Sequence, residues 1–160
     1  MIRSTGVYAL MLPVAFVGLQ AGCVPTVDFD ERLLSDGRRL YEVSCGACHQ
    51  NDGGGKKGVA SPLTGSEWVL GADPVLIRIA LDGIRGPIEV KGVRYQLEMP
   101  AMRHIYDDEQ MAAILTYVRR AWGNRGAIVL PGAVREIRAD TADRGDSWTV
   151  PELLARESDS

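Results

Sequence analysis

Apolar and polar residues follow one another along this chain in a pattern that predicts short helices joined by long polar loops. The clearest helix follows Asp107, which lies three residues before Gln110 and so predicts a capping box. Gly123 is expected to end this helix. The apolar residues of the segment recur at helical spacing and predict one buried stripe: Met111, Ile114, Leu115, Val118 and Trp122.

Two shorter helices are predicted upstream. The first covers about residues 36–46 and leads into a pair of cysteines. The second begins with Asp73 as its N-cap and Pro74 in its first turn, and Gly83 ends it. A polar loop at residues 51–57 lies between the two helices, because its run of glycines disfavours regular structure.

The remainder of the chain predicts loops and a little more helix. Residues 84–105 carry glycine and proline at several points and alternate in polarity around residues 88–93, which predicts a loop with a small hairpin. A short helix is expected at residues 131–139, and a capping box predicts a last turn at residues 149–154. Residues 156–160 are expected to fray.

Together these elements predict an all-α fold with three main helices, long loops and a short helical C-terminal extension. We divide the chain into a leader at residues 1–22, a tether at 23–35, one folded domain at 36–123 and the extension at 124–160. Helices this short cannot enclose a core alone. A bulky apolar group is therefore expected to fill the middle of the domain.

Composition and charge narrow the class of protein. The chain has 160 residues, of which 46% are hydrophobic and 24% charged, as is typical of a globular domain. With 18 basic and 21 acidic residues the net charge is -3, so the chain lacks the basic field that binding to a phosphate backbone requires. Nucleic acid is excluded as an expected partner.

The N-terminal residues are typical of an export signal. Arg3 supplies the positive charge, residues 7–19 are almost uninterrupted apolar chain, and small residues follow at Ala21 and Gly22. The apolar run is shorter than the roughly 20 residues that a membrane-spanning helix needs. The sequence therefore predicts a protein of the periplasm or another extracytoplasmic space.

Cys23 directly follows these small residues, as the lipid-bearing cysteine of a bacterial lipoprotein signal does. The resemblance covers residues 19–23, although Gln20 stands where such signals usually carry leucine. It implies a membrane tether through acyl chains on Cys23. The alternative is a cleaved, soluble protein with an unpaired thiol.

The strongest chemical signal is Cys45-Gly46-Ala47-Cys48-His49, the pattern of covalent haem attachment. Two thiols at this spacing can add to the two vinyl groups of a porphyrin. The following histidine then lies near the ring, where its imidazole can bind iron. The pattern predicts one covalent haem c held by Cys45 and Cys48, with His49 as an iron ligand.

Two other interpretations of the same five residues stay open. Cys45 and Cys48 resemble a thiol-disulfide redox pair, which would require a preceding strand and a βαβ sheet. A zinc site would need a fourth ligand, for which Cys23 and His104 are the candidates.

The order of three motifs resembles the class I cytochrome c family. A helix leads into the haem signature, Pro62-Leu63-Thr64-Gly65 follows, and Met99-Pro100-Ala101 precedes the helix that begins at Asp107. The resemblance covers about residues 36–123. It implies three helices around a covalent haem, a carrier of single electrons and not an enzyme, and His49 and Met99 as the axial ligands of the iron.

Met99 is the favoured distal ligand because a thioether opposite histidine raises the reduction potential of haem, which suits electron transfer at the positive end of the potential range. Pro100 also holds the preceding residue extended and outside a helix. Met102 and His104 lie in the same loop and are the alternatives. On the proximal side, the resemblance assigns the carbonyl of Ser61 as the acceptor for the second imidazole nitrogen of His49.

Several large or charged side chains have either a role at the haem or an ordinary structural one. Four aromatic residues are expected to line the haem or to pack in the core, and two arginines to neutralise the propionates or to lie in solvent. These residues are Tyr41, Trp68, Tyr95, Trp122, Arg85 and Arg94.

The expected partners are other redox proteins: a dehydrogenase, an oxidase or another cytochrome. The run at residues 86–92 and the Met99-Pro100-Ala101 motif resemble cytochrome modules that accompany sugar or alcohol dehydrogenases. The sequence thus leaves two forms of the carrier open, a free or lipid-tethered shuttle and a dedicated dehydrogenase subunit.

Overall fold

The computed structural model describes residues 29–96 and 98–158. The predicted leader and Cys23 lie outside this part of the chain. Seven helices and one hairpin are present in it: α1 Phe29–Ser44, α2 Gly46–His49, α3 Glu67–Leu70, α4 Asp73–Asp82, β1 Ile88–Val90, β2 Val93–Tyr95, α5 Asp108–Arg120, α6 Pro131–Asp140 and α7 Val150–Ser158.

Helix α1 begins earlier than predicted, so residues 29–35 of the predicted tether are helical. Asp30 and Glu31 lie in its first turn, where acidic side chains favour the positive end of the helix dipole. Asp30 also pairs with Arg120 of α5 at 3.2 Å. Helices α1 and α5 lie close together at Gly37, which faces the backbone of Ala113.

Helix α4 starts one residue away from the predicted cap. Its N-cap is Ala72, and Asp73 is the first helical residue. The prediction of Asp73 as the cap was wrong because its carboxylate pairs with Arg119, which is buried on α5. The other guanidinium donors of Arg119 bind the carbonyls of Val69 and Gly71. This buried arginine thus fixes the start of α4 against α5.

The predicted capping box of α5 is confirmed. The backbone amide of Gln110 donates to the Asp107 carboxylate at 2.8 Å, and the backbone amide of Asp107 donates to the side-chain oxygen of Gln110 at 3.1 Å. The helix ends at Arg120, before the predicted position. Trp122 has a left-handed φ of 55° and leaves the buried stripe. Its ring instead contacts Tyr41 of α1, with ring centroids 5.1 Å apart.

The predicted hairpin is present as the antiparallel pair β1 and β2, and it extends to Tyr95. Lys91 and Gly92 form its turn with φ of 53° and 74°, and a left-handed residue pair suits a two-residue hairpin.

The C-terminal extension is more ordered than predicted. Helix α7 continues to Ser158, so the expected fraying was wrong for residues 156–158, and residues 159–160 lie outside the described part of the chain. One half of its predicted capping box is present, since the backbone amide of Thr149 donates to the Glu152 carboxylate at 2.8 Å. The Thr149 hydroxyl also donates to this carboxylate, at 2.8 Å, and so does not act as the acceptor that a full capping box requires. Trp148 and Leu153 are buried in a cluster with Val75, Ile79 and Ile84, which ties the extension to α4 and the segment after it.

The architecture confirms the predicted helical fold, with α1, α4 and α5 as its main helices. A larger apolar cluster lies between α1, α4, α5 and α6 and includes Tyr41, Leu76, Met111 and Leu115. Among residues 29–96 and 98–158, no helix has both the length and the apolar character that crossing a bilayer demands.

Candidate functional site

The cysteine-histidine motif lies where the chain turns out of α1 into the short helix α2. The Cys45 amide donates to the Tyr41 carbonyl at 2.8 Å, and the His49 amide donates to the Cys45 carbonyl at 2.9 Å. The backbone is therefore helical across the motif. Gly46 is buried, and a Cβ there would lie 2.5 Å from the Asn51 side chain. Gly46 thus allows the following loop to pack against the motif.

The orientation of His49 is set by a single backbone carbonyl. Its Nδ1 lies 2.9 Å from the carbonyl oxygen of Ser61, which confirms the predicted contact. Nδ1 is the donor, since a carbonyl can only accept, and Nε2 is left as the nitrogen available to a metal. Burial lowers the pKa of His49, although the contact with Ser61 opposes this effect. The lowered pKa favours the neutral imidazole, which is the form that binds a metal.

The loop that carries Ser61 is held by a residue that the sequence interpretation missed. Asn124 is buried, accepts a hydrogen bond from the Gly65 amide at 2.8 Å and donates to the Leu63 carbonyl at 3.2 Å. It also donates to the Val118 carbonyl of α5 at 2.8 Å. Its place directly after the predicted helix end at Gly123 was the one available signal.

Two adjoining cavities occupy the space between this loop, α4 and α5. We distinguish an outer cavity, which Trp68 and Tyr95 line, from an inner cavity, which Tyr41 and Met111 line. Both cavities are lined by His49, Leu63, Leu76, Ile79 and Met99. We call them together the crevice, since a flat apolar group could lie across both between His49 and Met99.

Met99 lines the crevice, and its backbone is hydrogen-bonded to the backbone of Ile84. Its amide donates to the Ile84 carbonyl at 2.8 Å, and the Ile84 amide donates to the Met99 carbonyl at 3.1 Å. Met102 lines only the inner cavity of the two, and its amide donates to α4 at the Ala80 carbonyl. His104 is exposed and lines neither cavity. Met99 is therefore the candidate that shares both cavities with His49.

The two thiols lie at different depths of the crevice. Cys45 lines the inner cavity, whereas Cys48 lines the outer one and is exposed. Burial, with a smaller contribution from Cys48, raises the pKa of Cys45 to about 11. A catalytic redox dithiol requires a stabilised thiolate, and the burial of Cys45 disfavours its thiolate. The sheet in residues 29–96 and 98–158 consists of the hairpin alone, so the βαβ context of a redox dithiol is missing there too.

The zinc interpretation also lacks support. Within the described ranges, no three histidine, cysteine or acidic side chains lie close enough together to hold a metal ion. The donors that do meet at the crevice are two thiols, a neutral imidazole and a thioether, surrounded by apolar side chains. This set suits covalent attachment and axial ligation of haem.

The aromatic candidates separate into two groups. Tyr41 lines the inner cavity, and Trp68 and Tyr95 line the outer one. Trp122 lines neither and packs against Tyr41 and Tyr117. Arg85 and Arg94 are exposed and also line neither cavity, which agrees with the solvated role considered for both.

Comparison with known proteins agrees with this geometry. The profile of the family described as cytochrome c matches residues 34–122. Cytochrome c-552 of Thermus thermophilus is 36% identical over 94 residues, which are 56% of this chain and 70% of that protein.

Cytochrome subunits of dehydrogenases are also similar. The cytochrome c subunit of the quinone alcohol dehydrogenase of Gluconobacter oxydans is 31% identical over 61% of this chain, and the match spans 20% of that subunit. The fructose dehydrogenase cytochrome subunit of Gluconobacter japonicus is 35% identical over 66% of this chain and 22% of its own length. The chain thus spans about a fifth of these subunits. The matches show that it belongs to the cytochrome c family, carries covalently bound haem c, and transfers electrons without being an enzyme.

Proposed function

We propose that Cys45 and Cys48 bind the haem covalently and that His49 and Met99 are its two axial ligands. The single observation that carries this assignment is that His49 and Met99 line both cavities of the crevice. The alternatives Met102 and His104 do not share both cavities with His49. Each thiol lines one cavity, as attachment at two separate points of one group requires.

The haem supplies one-electron chemistry, with iron alternating between its ferrous and ferric states. The residues keep that chemistry confined to electron transfer. His49 and Met99 would fill both axial positions, so no position remains for oxygen or a substrate. The apolar walls, among them Leu63, Leu76 and Ile79, exclude water from the centre of the crevice. Cys48 is exposed at the outer cavity, and electrons would enter and leave from that side.

We further propose that the protein works outside the cytoplasm, passing electrons from a dehydrogenase to a respiratory acceptor. The leader-like residues 1–22 support export, and Cys23 supports a lipid tether. The similarity to cytochrome subunits of alcohol and fructose dehydrogenases supports a dehydrogenase as the donor. A separate shuttle and a dehydrogenase subunit are both consistent with these observations.

Covalent attachment is tested on a denaturing gel stained for haem. The full-length protein is matured in a host with a haem-attachment system, beside the variants Cys48→Ala and Val43→Ala. Val43→Ala is the control, because Val43 is exposed and lines neither cavity. Stain should survive denaturation in the parent and the control and be lost or much weaker in Cys48→Ala. A colourless parent protein with a titrating dithiol would overturn the assignment.

The cellular setting is tested by fractionation. Cys23→Ser should release the protein from membranes into the soluble periplasmic fraction while its haem spectrum stays unchanged. Co-purification of the parent protein with a dehydrogenase would favour the subunit form. If a dehydrogenase reduces the haem protein without staying bound to it, the shuttle is favoured. Retention of Cys23→Ser in the membrane fraction would contradict a tether at this residue.

A further inference from the structure

The C-terminal extension lies directly behind the segment that carries Met99. The Trp148 amide donates to the Gly83 carbonyl at 3.0 Å, and the Arg85 amide donates to the Trp148 carbonyl at 2.8 Å. Ile84 therefore pairs with Met99 on one side and with Trp148 on the other. The backbone of Met99 is bonded to a segment that the extension itself holds in place.

Hydrogen bonds to the Asp82 carboxylate also join the extension to the segment that carries Met99. This buried carboxylate accepts from Nε of Arg103 at 2.7 Å and from Nε1 of Trp148 at 3.2 Å. Arg103 follows Met99 by four residues and also donates to the Arg138 and Thr141 carbonyls at 3.2 and 3.1 Å. One buried carboxylate thus links the methionine segment to the extension.

Arg138 of α6, which belongs to the extension, also donates hydrogen bonds to the loop after Met99. It donates to the Arg103 carbonyl and to the Tyr106 carbonyl, the latter at 2.9 Å. A buried backbone carbonyl that loses its donor costs free energy, so these bonds favour one position of the loop after Met99. The extension therefore holds the loop directly after Met102, at Arg103 and Tyr106.

Packing strengthens the arrangement. Trp148 is 2% exposed, and the guanidinium of Arg144 covers its ring at 3.4 Å from the centroid. Met99 packs against the cluster that Trp148 forms with Val75, Ile79, Ile84 and Leu153. Loss of the indole would leave a cavity beside the methionine segment.

We propose that residues 138–153 of the extension act as a clamp that positions Met99 as a ligand of the haem iron. Trp148 is the positioning residue of this clamp, acting through Ile84, and Asp82 with Arg103 is its second attachment. The clamp rests on the proposed ligation by Met99. A firmly held thioether stays on the iron longer and keeps the reduction potential high, because thioether ligation favours the ferrous state.

The test compares full-length haem proteins carrying Trp148→Phe or Trp148→Ala with the parent. The readouts are the reduction potential, the far-red absorption band of sulfur-ligated ferric haem, and the rate at which ferric iron binds added imidazole. Imidazole can bind only when the methionine leaves. We expect Trp148→Ala to bind imidazole about tenfold faster, the factor that corresponds to about 1.4 kcal/mol. We expect Trp148→Phe, which keeps an aromatic ring but loses the bond to Asp82, to lie between Trp148→Ala and the parent.

The matched control is Val134→Ala in the same extension. Val134 is fully buried but packs in the other apolar cluster, away from Ile84 and Trp148. It should lower the unfolding temperature with little effect on imidazole binding or potential. If the two Trp148 variants bind imidazole no faster than Val134→Ala, the clamp is wrong.

A second pair of variants keeps the proposal testable if Trp148→Ala does not fold. Arg138→Gln removes charge-assisted bonds to the Arg103 and Tyr106 carbonyls, and Arg138→Lys retains the charge. Arg138→Gln should accelerate imidazole binding, with partial rescue by Arg138→Lys. Failure of the ligation itself has a different signature: the parent would lack the far-red band, and Met99→Ala would leave its spectrum unchanged.

Discussion

Gly83 lies against the carbonyl of Met99 so closely that a Cβ added at Gly83 would be 2.3 Å from that oxygen. Gly83 also has a φ of 78°, in the left-handed region that favours glycine. It ends α4 and turns the chain toward Ile84, the residue that pairs with Met99. The end of a helix thus determines where the proposed iron ligand lies.

Gly83→Ala should therefore disturb the ligand as well as the fold. The added methyl group has to displace the Met99 carbonyl, so we expect a lower reduction potential and a weaker far-red band. Absorption spectroscopy and a redox titration of the purified haem protein measure both. Gly86→Ala is the control, because Gly86 also has a positive φ of 84° but has open space around it. Equal spectra for the two variants would contradict this account.

The contact between α1 and α5 depends on Gly37. A Cβ there would lie 2.1 Å from the Ala113 carbonyl oxygen. Gly37→Ala should force the helices apart and lower the free energy of unfolding by roughly 1 to 3 kcal/mol, as overpacking does. Chemical denaturation followed by circular dichroism measures the change. Gly132→Ala in α6 has open space and should be neutral or slightly stabilising, so a similar loss in both variants would be evidence against close helix contact.

Asn124 should matter for the proximal loop. Asn124→Ala removes the partners of the Gly65 amide and of the Leu63 and Val118 carbonyls. The expected loss of stability is about 1 to 3 kcal/mol, the cost of unsatisfied buried groups. Thermal unfolding measures this loss. Gln96→Ala at an exposed position is the control, and an equal unfolding temperature for both variants would count against the Asn124 network.

Glu152 gives the extension a defined pH dependence. Hydrogen bonds from the Thr149 side chain and backbone, with a smaller effect of Arg144, lower the pKa of Glu152 from 4.5 to about 2. Because the folded pKa is depressed, the stabilisation is present above the ordinary pKa and is lost as the pH falls toward 2. Glu152→Gln should therefore lower the unfolding temperature at neutral pH but bring it close to that of the parent near pH 2.

The control for this pH dependence is Asp143→Asn, which removes an exposed charge from the same extension. Thermal unfolding of the three proteins at a series of pH values measures the difference. Parallel pH profiles for Glu152→Gln and the parent would show that the capping contact does not hold Glu152 ionised.

Local signals predicted the elements whose determinants lie close together in sequence. The capping box of Asp107 and Gln110, the hairpin turn at Lys91 and Gly92, and the haem signature all act over a few residues. The placement of Ser61 near His49 came instead from the resemblance to a family, because a contact across a loop has no local signature.

Features that depend on long-range contacts were missed or wrongly predicted. Asp73 looked like a helix cap, but it pairs with Arg119 of a distant helix. The short helix α3 and the network of Asn124 were not predicted. Trp148 lies in an extension that the sequence interpretation described only as short helical segments, and its role depends on a bridge to Ile84. The periodicity of apolar residues and the spacing of motifs do not encode contacts between residues that are distant in sequence.

The most direct test of the central claim compares the absorption spectra of Met99→Ala and Met102→Ala with that of the parent, in oxidised and reduced forms. Met99 and His49 line both cavities, whereas Met102 lines only the inner one of the two. We predict that Met99→Ala keeps its covalent haem, loses the far-red band and has a lower potential, while Met102→Ala retains the band. Loss of the band in Met102→Ala with its retention in Met99→Ala would contradict the proposed ligation.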